Sequence, residues 1–395
     1  MQSFTLKLRA NVFVWSMGIT QHSFGIENVR AIVNLALLRR MLGREKCGLM
    51  FIRGQSGVQG GSEMGAIPNY FPGGREVNEE NAKYFSKLWG FPVPSKKGFM
   101  ASQLIDECFK GNIDLLYMIG GNLLEVLPEP NYIEEALKKV PIRVHQDITL
   151  TSQMLIEPKD IVILLPACTR YESKGGVSIT STERRVYFSP EIEGRRIGEA
   201  KPDWEILMLL AEKVYPGKAH LIHFEDAKAI REDIAKANPY YEGIEKLKVK
   251  GDSFQWGGER LCEGYNFPIG KAKFIPVKPP ELNLPEGYFI LSTRRGKQMN
   301  TIINGDYDPL IGAHRDQVLM SFEDAQDLKL KEGDKVLIRS DVGEMVCRIK
   351  IANIKPTNLQ VFFPEGNRLI KKGVCDEKCG IPDYNTLVKV FKLDA

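Results

Sequence analysis

The 395-residue sequence lacks any apolar run long enough to cross a lipid bilayer. Its longest mainly apolar stretches, Ala31–Leu38 and Ile161–Cys168, are far shorter than the ~20 residues that a transmembrane helix requires. The first residues also show neither the apolar core nor the small-residue cleavage site of a secretory signal peptide. The sequence therefore predicts a protein without a membrane span.

Histidine and cysteine are also scarce, with five and seven residues respectively. An odd number of scattered cysteines is not the pattern of a secreted disulfide framework, and it predicts a reducing, cytoplasmic location. Cys375 and Cys379 form the only close pair. Closed zinc and iron–sulfur sites need more ligands than one such pair supplies. We interpret the two as ordinary loop thiols and predict no metal ligand in this chain.

Charge of one sign is not in large excess, because 54 Lys and Arg residues face 50 Asp and Glu residues, a net charge of +4. This balance lacks the basic footprint of a nucleic-acid-binding protein, so no nucleic-acid partner is predicted. The sequence also lacks a Walker loop, an HExxH helix and a nucleophile elbow. No Gly-x-Gly-x-x-Gly opens a helix after a strand, which makes an ordinary NAD dehydrogenase the weakest enzyme hypothesis.

Residues 1–215 alternate short apolar runs with segments of helical spacing, which is typical of an α/β region. The strand candidates are Val12–Trp15, Leu49–Ile52, Leu115–Ile119, Ile142–His145 and Ile161–Leu165. Because these runs are apolar on both faces, they predict Rossmann-like parallel sheets that are covered on both sides. Ligands of such sheets bind beyond the carboxyl ends of the strands.

Residues 216–280 have no clear period apart from one helical pattern, and we interpret them as a connecting segment. Residues 281–395 contain short strand candidates separated by turn signals, which predicts a C-terminal β-barrel or sandwich. Those candidates are Phe289–Ser292, Lys335–Arg339, Glu344–Ile351 and Leu359–Phe363. The predicted fold is therefore an α/β region over 1–215, a connecting segment over 216–280 and a β domain over 281–395.

Glycine and polar residues follow the predicted strands of the α/β region: Met17-Gly18, Arg53-Gly54-Gln55, Gly120-Gly121-Asn122 and Gln146-Asp147. A single such turn is most often structural, but four in series favour a nucleotide-type ligand, since glycines let backbone N–H groups approach a phosphate. Asp147 suits a guanine edge or a ribose hydroxyl. Arg53 stands in a Gly- and Gln-rich loop, where its guanidinium can grip a carboxylate or a phosphate with two hydrogen bonds.

The combined motifs resemble the second half of the molybdopterin-dependent oxidoreductases, and most closely the formate dehydrogenase alpha-subunit-like proteins. The resemblance covers nearly the whole chain in the right order. It is carried by Met17–His22, Arg53–Gly60, Met118–Asn122, Gln146-Asp147, Thr293–Asn300, Pro364–Asn367 and Pro382–Tyr384. It implies that the C-terminal domain is a double-psi β-barrel that binds a molybdopterin dinucleotide.

The resemblance further implies a bis-molybdopterin guanine dinucleotide (bis-MGD) cofactor with molybdenum or tungsten, and a small anion such as formate as substrate. Arg53 falls where the formate dehydrogenases orient the substrate carboxylate, and Gln55 falls beside it, so these two are the predicted catalytic residues. The implied cofactor contacts are Gly18, Thr20, Gln21, Gly120, Gly121, Asn122, Gln146, Asp147, Thr293, Arg294, Arg295, Gly296, Lys297, Asn300, Asn367 and Tyr384.

Two parts of the family pattern are missing from this sequence. It has neither the N-terminal cysteine motif for a [4Fe–4S] cluster nor the cysteine or selenocysteine that ligates the metal. We therefore expect a partner half that carries the cluster and the metal ligand, and possible association with an electron-transfer subunit. The alternatives are a non-catalytic scaffold, as in the large cluster-bearing subunit of respiratory NADH dehydrogenase, and an inactive fragment. Retention of Arg53, Gln55 and the 294–297 turn argues against a scaffold.

Overall fold

The computed structural model describes residues 9–55, 57–194, 196–259, 267, 269–281, 283–296 and 305–393. Within these residues, parallel α/β sheets occupy the N-terminal half and a closed β-barrel occupies the C-terminal part. The α/β class and the C-terminal barrel predicted from the sequence are confirmed. None of the helices in these ranges has the length and apolar content needed to cross a membrane.

The chain begins with a parallel strand pair joined by a crossover helix. Strands β1 (Val12–Trp15) and β2 (Gly48–Phe51) pair in parallel, and α1 (Gly25–Leu38) connects them. A side chain at Gly25 would bring its Cβ to 2.3 Å from the carbonyl oxygen of Thr20, so glycine is required for α1 to start directly behind the 17–20 turn. The strand candidates at Val12–Trp15 and Leu49–Ile52 are therefore present, and they form one βαβ unit.

A mostly helical segment follows, with two short strands that form a hairpin. It comprises α2 (Val58–Glu63), β3 (Tyr70–Phe71), β4 (Arg75–Glu76), α3 (Glu79–Trp89) and α4 (Ala101–Lys110). Helix α3 begins at Asn78, whose side chain accepts a hydrogen bond from the Asn81 N–H, and ends at Gly90 with φ of 78°. These are the preferred residue types for the two ends of a helix.

The second parallel sheet has the strand order β5 (Leu115–Ile119), β6 (Ile142–Asp147) and β7 (Ile161–Pro166). Helices α5 (Leu123–Val126) and α6 (Pro130–Lys138) follow β5. The prediction that both faces are covered is wrong for β7, because Ile161 and Leu164 are 46% and 47% exposed. Among the described residues, β6 is the only strand that pairs with β7, and the outer edge of β7 is bonded only at Pro166, by Lys201.

The connecting segment packs on a small antiparallel sheet. This sheet consists of β8 (Val177–Thr180), β9 (Arg185–Ser189) and β10 (Ser253–Gln255). Helices α7 (Asp203–Val214), α8 (Ala219–Ile222) and α9 (Ala227–Ala237) precede β10. Val186, Phe188, Tyr241 and Ile244 form a buried cluster there. The segment therefore belongs to a packed unit rather than forming an open linker, and the boundaries at 215 and 280 remain predictions.

The C-terminal barrel closes in the order β11 (Phe289–Arg294), β17 (Asn358–Phe362), β14 (Gln317–Met320), β16 (Glu344–Ile351), β15 (Lys335–Arg339) and β18 (Asn385–Lys392). Two short strands, β12 (Tyr307–Asp308) and β13 (Ala313–His314), and helix α10 (Phe322–Asp327) complete it. Pairs β11–β17 and β14–β16 are parallel, while β15 is antiparallel to both of its neighbours. Closure leaves no open edge, and one apolar cluster fills the interior.

Candidate cofactor site

The loop after β1 is bonded directly to the barrel. Arg295 Nη1 donates a hydrogen bond to Gln21 Oε1 at 2.9 Å, and the backbone N–H of Tyr384 donates to the Gln21 carbonyl at 3.3 Å. His22 Nδ1 lies 3.1 Å from Asn385 Nδ2. The structure therefore brings together predicted residues that are more than 270 positions apart in the sequence.

Arg295 lies over one aromatic ring and near a second, and these rings are inclined at 70° to each other. Its Cζ lies 4.0 Å from the ring centroid of Phe363 and 5.7 Å from that of Tyr384. Burial lowers the pKa of the guanidinium below its ordinary value, and the neighbouring Tyr384 opposes this change. Burial also raises the pKa of Tyr384, so the phenol stays neutral. A guanidinium held against aromatic rings in this way suits a planar or anionic ligand group.

A second set of bonds joins the barrel to the loop after β5. Asn367 Nδ2 donates to the carbonyl oxygens of Glu125 and Val126 at 2.6 and 3.1 Å. Tyr384 Oη donates to the Val126 carbonyl at 2.8 Å. Because these carbonyls belong to α5, the bonds fix the preceding 120–122 turn beside the barrel. Asn367 Nδ2 and Tyr384 Oη thus connect the barrel to α5.

The 120–122 turn is itself shaped for close approach. Gly120 and Gly121 have φ angles of 65° and 78°, and space is open where their side chains would stand. Asn122 Nδ2 donates to Ser152 Oγ at 2.9 Å. Gln153 Nε2 donates to the Gly121 carbonyl at 2.8 Å. The turn therefore presents backbone to an open volume while its side chains hold it in place.

Gln146 and Asp147 follow β6 but have different surroundings. The Gln146 side chain is buried; its Oε1 accepts from Tyr117 Oη at 2.6 Å and its Nε2 donates to Asp203 Oδ1 at 2.7 Å. Asp147 Oδ1 accepts from the backbone N–H of Ile148 at 2.7 Å. Asp147 lines a cavity of about 210 Å³ with Leu150. Of the two, Asp147 is thus the one that borders open space.

The Arg53 loop lies against the turn after β1. At Gly54 a side chain would bring its Cβ to 3.0 Å from Met17 Cε, so the two loops touch. The Arg53 guanidinium stacks on Phe51 at 4.3 Å, and its Nε donates to Gln59 Oε1 at 3.2 Å. Burial lowers the pKa of Arg53 and the charge of Glu63 opposes this. Gln55 is exposed at the tip of the loop.

The remaining predicted contacts divide into three groups. Gly18 and Thr20 lie in the turn after β1, where Thr20 Oγ1 donates to the Met17 carbonyl at 3.2 Å. Thr293, Arg294 and Gly296 lie at the end of β11, with Arg294 Nη1 donating to Gln360 Oε1 at 3.3 Å. Lys297 and Asn300 lie outside the described residues.

Several buried polar atoms at these loops lack a hydrogen-bond partner among the described residues. They are Asn122 Oδ1, Thr293 Oγ1, Arg294 Nε and Asn367 Oδ1. Native proteins rarely leave such atoms unsatisfied unless a ligand or water completes them. Both donors and acceptors occur in the set, and Asn122 directly follows Gly120 and Gly121, whose Cβ positions are open. The residues present therefore fit a large polar ligand such as a guanine dinucleotide.

Two known family profiles match this chain over most of its length. The family profile described as Molybdopterin oxidoreductase matches residues 7–213, and the one described as Molydopterin dinucleotide binding domain matches residues 288–388. The chain belongs to the molybdopterin oxidoreductase family. The predicted family and a bis-MGD cofactor with molybdenum or tungsten are confirmed.

Relatives of known name agree with this family. The F420-dependent formate dehydrogenase subunit alpha of Methanocaldococcus jannaschii is 32% identical over 412 aligned positions, covering 98% of this chain and 58% of the relative. The F420-dependent formate dehydrogenase 1 subunit alpha of Methanococcus maripaludis is 29% identical, covering 96% and 58%. The chain thus spans 58% of the length of each of these two relatives. The solved acetylene hydratase of Pelobacter acetylenicus has a TM-score of 0.46 and 16% identity, covering 86% of this chain and 50% of its own.

The sequence indicated Gln59 as a neighbour of Arg53 able to donate or accept hydrogen bonds, but it missed Glu63 and Tyr241, which support Arg53 through Gln59. Gln59 and Glu63 are four positions apart on α2, the spacing that places two side chains on one helix face. That signal was available in the sequence. The approach of Tyr241 across the molecule was not. In the described part of the chain, no group of three or more His, Cys, Asp or Glu side chains is arranged to hold a metal ion.

Proposed function

We propose that this chain is the cofactor-holding C-terminal portion of a molybdenum or tungsten bis-MGD oxidoreductase that oxidises formate or a related small anion. The observation that carries the proposal is the setting of Arg53. Its Nε is engaged by Gln59, while Nη1 and Nη2 have no partner in the described part of the chain. Two parallel N–H groups on a fixed guanidinium match the geometry of a carboxylate.

The same proposal assigns the loops their roles toward the cofactor. Arg294 and Arg295 would neutralise phosphate charge, and the backbone of Gly120 and Gly121 would approach the ligand closely. Asp147 would accept hydrogen bonds from a guanine edge or a ribose hydroxyl. When bound, the cofactor supplies a metal centre that exchanges two electrons with the substrate. Arg53 orients the anion, and Gln55 offers an adjacent donor and acceptor.

A second polypeptide part completes the enzyme in this proposal, because apolar faces of the α/β region are uncovered. Strand β7 exposes Ile161, Ile163 and Leu164, and α7 has no buried residue although Leu207 and Leu210 lie on it. Such faces on a soluble protein mark interaction sites. The relatives are named as alpha subunits, which also supports an assembly. The partner would supply the iron–sulfur cluster and the metal ligand.

A scaffold or inactive fragment of the same fold is the competing function. A scaffold has no use for an arginine whose terminal nitrogens are free beside an open, glycine-rich loop. It would also leave the unpartnered atoms Asn122 Oδ1 and Thr293 Oγ1 unexplained. The two functions differ in one measurable respect: only the enzyme requires guanine nucleotide and metal in the assembled protein.

The test is Arg53→Ala in the complex purified with its cluster-bearing partner. We expect formate oxidation to fall by at least ~100-fold, the loss typical of removing one well-placed electrostatic donor, while metal and guanine contents stay the same. Arg75→Ala is the matched control, because Arg75 stacks on Tyr84 at 4.2 Å in the same manner but lies outside these loops. It should leave turnover unchanged.

Two outcomes would contradict the proposal. Equal loss of turnover and cofactor in Arg53→Ala would make Arg53 a cofactor contact instead of a substrate-binding residue. A wild-type complex that contains neither metal nor guanine nucleotide would exclude the enzyme and favour the scaffold.

A further inference from the structure

Arg53 stands at the end of a continuous chain of side-chain hydrogen bonds. Its Nε donates to Gln59 Oε1 at 3.2 Å, and Gln59 Nε2 donates to Glu63 Oε1. Glu63 Oε2 accepts from Tyr241 Oη, and Tyr241 Oη lies 2.7 Å from Thr180 Oγ1. We call this set, Arg53, Gln59, Glu63, Tyr241 and Thr180, the arginine relay.

Two members of the arginine relay, the Arg53 guanidinium and the Glu63 carboxylate, determine which group donates and which accepts in each hydrogen bond. A guanidinium only donates and an ionised carboxylate only accepts, so the Gln59 amide must turn its oxygen to Arg53 and its nitrogen to Glu63. Tyr241 donates to Glu63 and accepts from the Thr180 hydroxyl. Because no member can reverse its role without losing a bond, the network has a single arrangement.

The interior end of the arginine relay is rigid. Tyr241 is 2% exposed and packs in the apolar cluster with Val186, Phe188 and Ile244. A side chain at Gly60 would bring its Cβ to 3.1 Å from Thr180 Oγ1, so glycine there allows α2 to approach β8 this closely. Arg53, by contrast, is exposed at the other end. The relay therefore connects a fixed core to an exposed arginine whose guanidinium otherwise only stacks on Phe51 among the described residues.

We propose that Gln59, Glu63 and Tyr241 are positioning residues that fix the Arg53 guanidinium for the anionic substrate. The inference rests on the proposed role of Arg53 and extends it to the connecting segment, where Tyr241 lies. An unrestrained arginine loses much rotamer freedom when it binds a ligand. The bond from Nε to Gln59 restricts the guanidinium before the anion binds, so Nη1 and Nη2 already have the required orientation. The side-chain entropy lost on binding is therefore smaller.

Tyr241→Phe is the sharpest variant, because it removes one hydroxyl and keeps the buried ring. The matched control is Tyr240→Phe, since Tyr240 is exposed, stacks on Trp256 at 4.7 Å and takes no part in the relay. A second variant, Gln59→Met, cuts the relay next to Arg53 while conserving side-chain length. Folding of each variant is checked by its thermal unfolding midpoint.

The first readout needs no cofactor and no partner. In the full chain, the Nε–H NMR signal of Arg53, assigned through its loss in Arg53→Lys, reports the bond to Gln59. We expect its hydrogen-exchange rate to rise about fivefold in Tyr241→Phe and more in Gln59→Met, as for loss of one net hydrogen bond. Tyr240→Phe should leave it unchanged. An unchanged rate in both relay variants would overturn the inference.

The second readout is formate kinetics in the assembled complex. We expect Tyr241→Phe to raise KM for formate about tenfold and to lower kcat less, with metal and guanine contents unchanged. Kinetic parameters equal to those of Tyr240→Phe would overturn the inference. If the wild-type complex is inactive while the Arg53 signal still responds to Tyr241→Phe, the proposed function fails and the positioning network stands.

Discussion

The C-terminal barrel is closed on itself, whereas parts of the N-terminal α/β region, β7 and α7 among them, leave apolar side chains uncovered. In the barrel, Leu291, Val336, Ile349 and Val361 are fully buried within one cluster, and closure pairs every barrel strand on both sides. In the α/β region, β1 and β2 form a sheet of two strands. Leu150 and Leu155 are 73% and 82% exposed.

The residues of the candidate site therefore stand on two kinds of structure, a closed barrel and a partly uncovered sheet. Arg294, Arg295, Asn367 and Tyr384 extend from a barrel that supplies its own core. Arg53 and the turn after β1 extend from a sheet whose faces are partly open. Stability in proteins is local, so these two sides of the site should respond differently to the same perturbation.

The largest expected difference comes from the cores. Leu291→Ala in the barrel should cost about 4 kcal/mol, because a fully buried leucine leaves a cavity that a closed barrel cannot collapse. Leu207→Ala on α7, where the leucine is 39% exposed, should change stability by less than ~0.5 kcal/mol. Hydrogen exchange of the barrel and α/β strands measures each region separately. Similar losses for the two variants would remove the contrast between the regions.

The pH should also separate the regions, through His145. This ring is buried, and burial followed by the charge of Arg143 lowers its pKa from 6.5 to about 4. In the unfolded chain the His145 ring is protonated below pH 6.5, whereas in the folded chain it stays neutral down to about pH 4. We expect the α/β region to lose about 3 kcal/mol as the pH falls through this window.

His145→Met removes the titrating ring, so the stability of the α/β region should fall much less between pH 6.5 and 4. The barrel gives an internal reference in the same sample. A hydrogen bond from Lys392 lowers the pKa of Asp334 below its ordinary 3.8, so this carboxylate loses its stabilising charge only at lower pH. Equal pH sensitivity of wild type and His145→Met between pH 6.5 and 4 would contradict the assignment to His145.

Much of the fold could be predicted from local pattern. Runs such as Leu115–Ile119, Lys335–Arg339 and Glu344–Ile351 have the bounds expected of them, because strand period and turn residues act locally. Strands β14 and β18 were missed. They complete the barrel through pairs distant in sequence, such as Leu291 with Thr386. The exposure of β7 was also missed, since an apolar run does not reveal whether its covering layer is present.

The candidate site also has features that the sequence predicts locally and features that it does not. Glycines after strands and the Arg53 loop carry local signals, and the resemblance supplied their order. The bonds of Arg295 to Gln21 and of Asn367 to Glu125 depend on how two regions dock, which no local pattern encodes. Gln146 shows the limit of residue type alone: its amide suits a ligand, yet Tyr117 and Asp203 occupy its oxygen and nitrogen.

The smallest expected effect concerns the junction between the regions. Asn367→Ala removes the bonds donated to the Glu125 and Val126 carbonyls, although Val126 keeps its bond from Tyr384, and this should weaken docking of the 120–126 segment by about 1 to 2 kcal/mol. Asn358→Ala is the control, since Asn358 Nδ2 donates only to the Pro356 carbonyl within the barrel. Hydrogen exchange should accelerate in 120–126 and stay constant in β17. Acceleration in β17 would mean that Asn367 stabilises the barrel itself and that the two regions dock through other contacts.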